Sequence, residues 1–96
     1  VIPAHCTHNA HMYYMLMPSL EKRTEFIATL RDRGIQAVFH YIPLHSSPAG
    51  RAIGRTGSSM SVTDDISDRL VRMPLWLGLD EHLPAIFAAA DEALAG

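Results

Sequence analysis

The residues best equipped for chemistry fall in two histidine-rich clusters. The first is Phe39-His40-Tyr41-Ile42-Pro43-Leu44-His45, followed by Ser46-Ser47-Pro48. His40 and His45 can each donate or accept a hydrogen bond near neutral pH, and Tyr41 adds a hydroxyl donor on an apolar ring. Pro43 stiffens the backbone between them, so the two imidazoles are held in place. The segment reads as a binding loop running off a strand end, where sites are commonly built. The plainer account is a turn whose aromatic residues cap the core. The second cluster, His5-Cys6-Thr7-His8-Asn9-Ala10-His11, spaces histidines three apart beside a thiol, donors that suit a soft metal ion. Pro3 and Asn9 argue against the helix that would align them, and a strand would send them to opposite faces. No second half of a zinc motif follows. This stretch reads as a polar lead-in peptide, with His11 its best-held member because it adjoins the first strand.

Other charged groups have simpler explanations. Gly50-Arg51-Ala52-Ile53-Gly54-Arg55-Thr56-Gly57 has glycines and two arginines but neither a Walker lysine nor a dinucleotide fingerprint. Arg51 and Arg55 are read as solvated loop charges rather than phosphate ligands. Asp64, Asp65 and Asp68 complement the dipole at a helix start. Cys6 has no activating partner fixed by spacing, and the five methionines suit core or interface packing.

The elements that must position these residues follow from periodicity. Met12–Met17 is an apolar, aromatic run ending at Pro18-Ser19 and reads as a buried strand. Ser19 suits a helix N-cap and Gly34 a left-handed C-cap, with Phe26, Ile27 and Leu30 on one face between them. That predicts a helix over Leu20–Arg33. Ile35–Tyr41 alternates like a strand. From Ile42 to Ser61, two prolines, three glycines and five serines deny the chain a continuous core element, apart from a helical turn near Ala49–Ile53. Ser61 and Asp64 form a capping-box pattern opening a helix through Val62, Ile66 and Leu70. Asp65–Arg69 and Asp68–Arg72 are favourable pairs four residues apart. Pro74 is expected to end that helix and to allow only an edge or irregular strand at Met73–Trp76. A last helix carries Leu83, Ile86, Phe87, Ala90 and Leu94, with Pro84 in its first turn. The predicted string is β-α-β-loop-α-β-α, an α+β domain of two layers.

Ninety-six residues make one small domain, and no boundary divides residues 1–96. Hydrophobic residues at 48% and a net charge of −2 exclude disorder and the basic stripe of a nucleic-acid binder. The longest apolar runs are too short to cross a bilayer, and Val1–Cys6 lacks the features of a signal peptide. A single cysteine gives no sign of an oxidising compartment, so a cytoplasmic protein is expected. The absence of an initiator methionine suggests processing or a fragment of a longer chain. A thin two-layer domain would leave Met12, Tyr13, Met15 and Trp76 exposed and so leans on a larger partner.

One set of motifs resembles a known family. Asn9-Ala10-His11-Met12-Tyr13-Tyr14, a helix ending Arg33-Gly34-Ile35, then His40-Tyr41-Ile42-Pro43-Leu44-His45, then Arg72-Met73-Pro74-Leu75 are similar to the carboxy-terminal domain of DegT/StrS-type sugar-nucleotide aminotransferases. The likeness spans about Asn9 to Leu94, and the His-Tyr-x-Pro-Leu-His element is its most specific part. It implies the small domain of a fold-type-I enzyme that uses pyridoxal phosphate to move an amino group from glutamate to a nucleotide-linked keto-sugar. It implies that His40, Tyr41 and His45 wall the substrate pocket, with His11 and Tyr13 as weaker candidates, and that no residue of this chain is catalytic. The cofactor lysine, its carboxylate partner and the phosphate cradle would belong to a large domain preceding Val1. Lys22, the only lysine here, reads as a solvated helix residue. The resemblance further implies that this domain contacts its own large domain and a second subunit of a homodimer, and that the 96 residues alone are inactive. Two other readings stand beside it. One is a small intracellular interaction domain docking a partner chain; the other is a metal module built from His5, Cys6, His8 and His11.

Overall fold

The computed structural model describes residues 2–96; Val1, the first residue of the lead-in, lies outside the described residues. Residues 2–13 run without regular structure into strand β1, Tyr14–Leu16. Helix α1 spans Leu20–Asp32, and the Ser19 side chain caps it by accepting from the Lys22 backbone N–H at 3.2 Å. At its other end Gly34 takes φ of +74°, the left-handed conformation that glycine adopts without Cβ strain. Strand β2, Val38–Phe39, is shorter than the predicted Ile35–Tyr41 run, because only these two residues find pairing partners. The next segment folds into a short helix α2, Pro48–Ile53. Helix α3, Ser61–Arg69, leads directly into strand β3, Leu70–Arg72. A 3-10 turn, Leu79–His82, introduces the last helix α4, Leu83–Ala95. The α+β architecture agrees with the sequence reading.

The sheet order is β1-β3-β2, antiparallel throughout. Strands β1 and β2 are therefore parallel to each other, joined by α1 and separated by β3, a split β-α-β unit. The sequence reading allowed an edge or irregular third strand at Met73–Trp76; the strand lies earlier, at Leu70–Arg72, and at the centre. Tertiary pairing overrides the continuing helical pattern: Val71 faces Met15 on one side and Phe39 on the other and is fully buried. Pro74 falls just beyond the paired residues, where its missing N–H costs nothing. Because α3 stops at Arg69, Asp65 and Arg69 remain on one helix and pair at 2.6 Å, whereas Arg72 stands on β3 and cannot pair with Asp68 as a helical neighbour. The expected capping box is also absent: Met60 is the cap residue and offers no side-chain bond.

Helices α1 and α4 cover one face of the sheet. Phe26 and Leu30 of α1, Val71 of β3, and Ala89 and Ala90 of α4 form the buried centre with Met17 and Ala37. Met15, expected to be exposed, packs against this cluster, whereas Tyr13 and Trp76 are exposed as expected. The opposite face of β1 carries exposed Tyr14 and Leu16. The accessible surface is 7360 Å², against about 5,500 Å² for a self-sufficient protein of this mass. The radius of gyration is 15.9 Å, where a chain of this length packs to about 12.5 Å. No helix among the described residues is long and apolar enough to cross a membrane.

Candidate functional site

The His40–His45 segment leaves the end of β2 and folds back towards α3. Beyond Phe39, His40 and Tyr41 are exposed, and their rings meet edge to face with centroids 4.9 Å apart. Pro43 then starts a tight turn in which the N–H groups of Ser46 and Ser47 donate to its carbonyl at 3.1 and 3.0 Å. The Ser47 hydroxyl caps α2 by accepting from the Gly50 N–H at 3.0 Å. Gly50 is required here by contact rather than by backbone angle. A Cβ at that position would lie 1.7 Å from the Leu44 carbonyl oxygen.

This folded arm makes two adjoining clefts against α3. One, of about 510 Å³, is walled by His45, Ile53, Arg55, Thr56 and Met60. The other, of about 560 Å³, is walled by His40, Tyr41, Val62, Ile66 and Leu70. Pro43, Leu44 and Thr63 line both. The mouth is mostly apolar, with imidazole, hydroxyl and guanidinium groups at its margins. That suits a ligand with one flat or apolar portion and several oxygens.

Of the polar groups at these margins, His45 is anchored by a hydrogen bond. His45 is largely buried, its side chain 17% exposed, and its Nε2 lies 2.7 Å from Oδ1 of Asp64 in the first turn of α3. Helix α3 is itself tied to the rest of the fold. Arg69 makes two bonds to Asp65, from Nε at 3.0 Å and Nη2 at 2.6 Å, and donates a third from Nη1 to the Met17 carbonyl. The paired guanidinium holds the Asp65 carboxyl below its ordinary value, chiefly through these hydrogen bonds. Arg23 of α1 lies over the Phe39 ring, 5.2 Å from its centroid, and donates to the Ser67 carbonyl, tying α1, β2 and α3 together.

The structure thus brings His40, Tyr41 and His45 to one composite surface. It does not bring His11 and Tyr13 to it. Tyr13 pairs with Met73 at one end of the sheet, where its carbonyl accepts from the Met73 N–H, while His40 follows β2 at the Leu70 end. His11, exposed, bonds through Nδ1 to Asn9 at 2.6 Å. The described residues contain no group of three or more His, Cys, Asp or Glu placed to hold a metal ion; His5, Cys6 and His8 are exposed. Two residues of the site carry other readings in the sequence, Arg55 as a solvated loop charge and Asp64 as a helix-dipole charge. Arg55 lines the first cleft, and the Asp64 carboxylate meets a histidine 19 residues away. Local spacing carries no signal for such a pair.

A pyridoxal phosphate site can be tested against the residues present. Lys22, the chain's single lysine, pairs with Glu25 at 2.9 Å on the exposed face of α1 and lines neither cleft. The residues of this chain do not fit that cofactor, and no chemical step through it is assigned to them.

The sequence model of the DegT/DnrJ/EryC1/StrS aminotransferase family matches residues 1–89, nearly the whole chain and all of both clefts. The chain belongs to the DegT/DnrJ/EryC1/StrS aminotransferase family.

Proposed function

We propose that these residues are the carboxy-terminal small domain of a pyridoxal-phosphate-dependent sugar-nucleotide aminotransferase. In this reading the complete protein moves an amino group from glutamate to the C4 ketone of a dTDP-linked 4-keto-6-deoxy sugar. This is the reaction class of the dTDP-4-amino-4,6-dideoxygalactose transaminases, which the Asn9-Ala10-His11-Met12 start and the Val38–His45 string together resemble. Large-domain residues hold the cofactor, which supplies the electron sink for amino transfer when bound. The small domain contributes the wall of the substrate pocket: His40, Tyr41 and His45 present hydrogen-bonding groups to sugar and phosphate oxygens and so orient the ketone. Its part is positioning rather than bond making.

The observation that carries this reading is the family match together with the placement of the motif's two histidines and tyrosine on adjoining clefts. The excess accessible surface supports a large domain and a second subunit as the partners that cover it. The same surface favours the second reading, a docking module with no chemistry of its own, to the extent that any partner would cover it. Incubating the complete protein with glutamate and a dTDP-4-keto-6-deoxy sugar, with mass spectrometry of the sugar nucleotide, separates them. Conversion of the ketone to an amine is expected. A complete protein that aminates no nucleotide-linked keto-sugar would overturn the proposal and leave the docking module.

A further inference from the structure

We infer that Asp64 is the positioning residue for His45, a carboxylate latch that closes the arm over residues 42–60 onto α3 and fixes which nitrogen of the imidazole faces the cleft. The inference deepens the proposed function, and its consequence for substrate rests on that reading. His45 stands in the Pro43–Ser47 turn, whose backbone is already fixed by hydrogen bonds to the Pro43 carbonyl. The remaining freedom is rotation of the ring. Oδ1 of Asp64 removes it at 2.7 Å, and the contact joins residues 19 apart.

An ionised carboxylate only accepts hydrogen bonds, so the imidazole nitrogen beside it must carry the proton. Nε2–H is thereby set as the donor to Asp64, and Nδ1 is left to the ligand. It accepts from a sugar hydroxyl when the ring is neutral and donates to a phosphate oxygen when the ring is protonated. The same logic governs a histidine oriented by a carboxylate in other sites: the acidic group acts through the ring rather than on the substrate. Asp64 itself is about half exposed at the side chain and does not line the cleft walled by His45. A role in structure alone would not need the cleft to hold an imidazole at its other end. Here the latched ring lines one of the two apolar mouths, where Arg55 is the other ionisable lining residue.

The test is a double-mutant cycle in the complete protein, read by sugar-nucleotide KM and kcat. Asp64→Ala is expected to raise KM about tenfold with kcat within about twofold. Asp64→Asn, whose amide oxygen still accepts from Nε2–H, is expected to restore most of the loss. In a His45→Ala background, Asp64→Ala should add almost nothing, because its partner is gone. Additive losses, or no rescue by Asn, would overturn the assignment. Nitrogen-15 NMR of the labelled histidines supplies an independent arm: the His45 ring should show the Nε2–H form, lost in Asp64→Ala. If the complete protein performs no amino transfer, the functional reading fails while this spectrum still decides the latch. An unchanged spectrum would sink the latch itself.

Discussion

The two halves of this chain are held by different forces. In the half formed by α1, α4 and the sheet, Phe26, Leu30 and Val71 are fully excluded from water, and dispersion and hydrophobic burial hold the elements. In the half formed by the arm and α3, the buried residue of the arm is Gly50, and Leu44, Ile53 and Val62 lie exposed. That half is held by polar ties: His45 to Asp64, Arg69 to Asp65 and Met17, and Arg23 to Ser67. Hydrogen bonds of this sort each contribute about 0.5–1.5 kcal/mol, somewhat more to a charged group, and they depend on geometry. The contrast teaches where the molecule is finished and where it awaits something. A packed core gives a rigid platform, whereas an arm with apolar groups turned outward is the surface that the proposed function assigns to substrate or neighbouring protein.

The contrast can be broken most strongly from the core side. Leu30→Ala should destabilise the fold by about 2–5 kcal/mol, a large share of what a small domain possesses. Ile53→Ala, at an isoleucine of the arm that is 88% exposed, should stay within about 0.5 kcal/mol. Denaturant midpoints of the complete protein check both, and equal losses at the two sites would erase the distinction. Gly50→Ala should act on the other half alone. Its methyl group meets the Leu44 carbonyl, so the turn must move, at about 1–3 kcal/mol of local strain. Hydrogen exchange should then show residues 43–53 losing protection while α1 and α4 keep theirs. Loss of protection throughout would mean that the arm is part of the core after all.

The smallest effect is expected from acid. The Asp65 carboxyl is held below its ordinary value of 3.8 by its bonds to Arg69, so the folded state binds that proton less readily than the unfolded state. The stabilisation is fully present above the unfolded value and is lost as pH falls through the lower folded value. Asp65→Asn should therefore lower the melting temperature slightly at neutral pH, with the gap to the native protein closing below about pH 3.8. A gap that widens on acidification would reverse the sign assigned to this pair.

What was legible in the sequence tracks the same division. Helix α1 could be read from Ser19, the Phe26–Leu30 stripe and Gly34, because local propensity and burial agree there. Helix α4 was legible from Pro84 and the Leu83, Ile86 and Ala90 spacing, although Phe87 and Leu94, read in the same repeat, are exposed. The third strand was not, since Ser61–Leu70 continues a helical pattern and only pairing with both β1 and β2 turns Leu70–Arg72 into the central strand. At the site, the motif from His40 to His45 could be seen because its residues are adjacent. The grouping of His11 and Tyr13 with it could not be judged, because that depends on β1 and β2 running parallel and placing them at opposite ends of the sheet. Asp64 was visible as a charge but not as a partner, since nothing within one helical turn reveals a contact made across a 19-residue arm.

The claim that this arm forms a substrate wall is met most directly by steady-state kinetics of His45→Ala in the complete protein. Loss of one well-placed hydrogen bond should raise the sugar-nucleotide KM about tenfold, which corresponds to about 1.4 kcal/mol, while kcat and the visible absorbance of bound cofactor persist. An unchanged KM, or a protein that no longer retains its cofactor, would contradict the account.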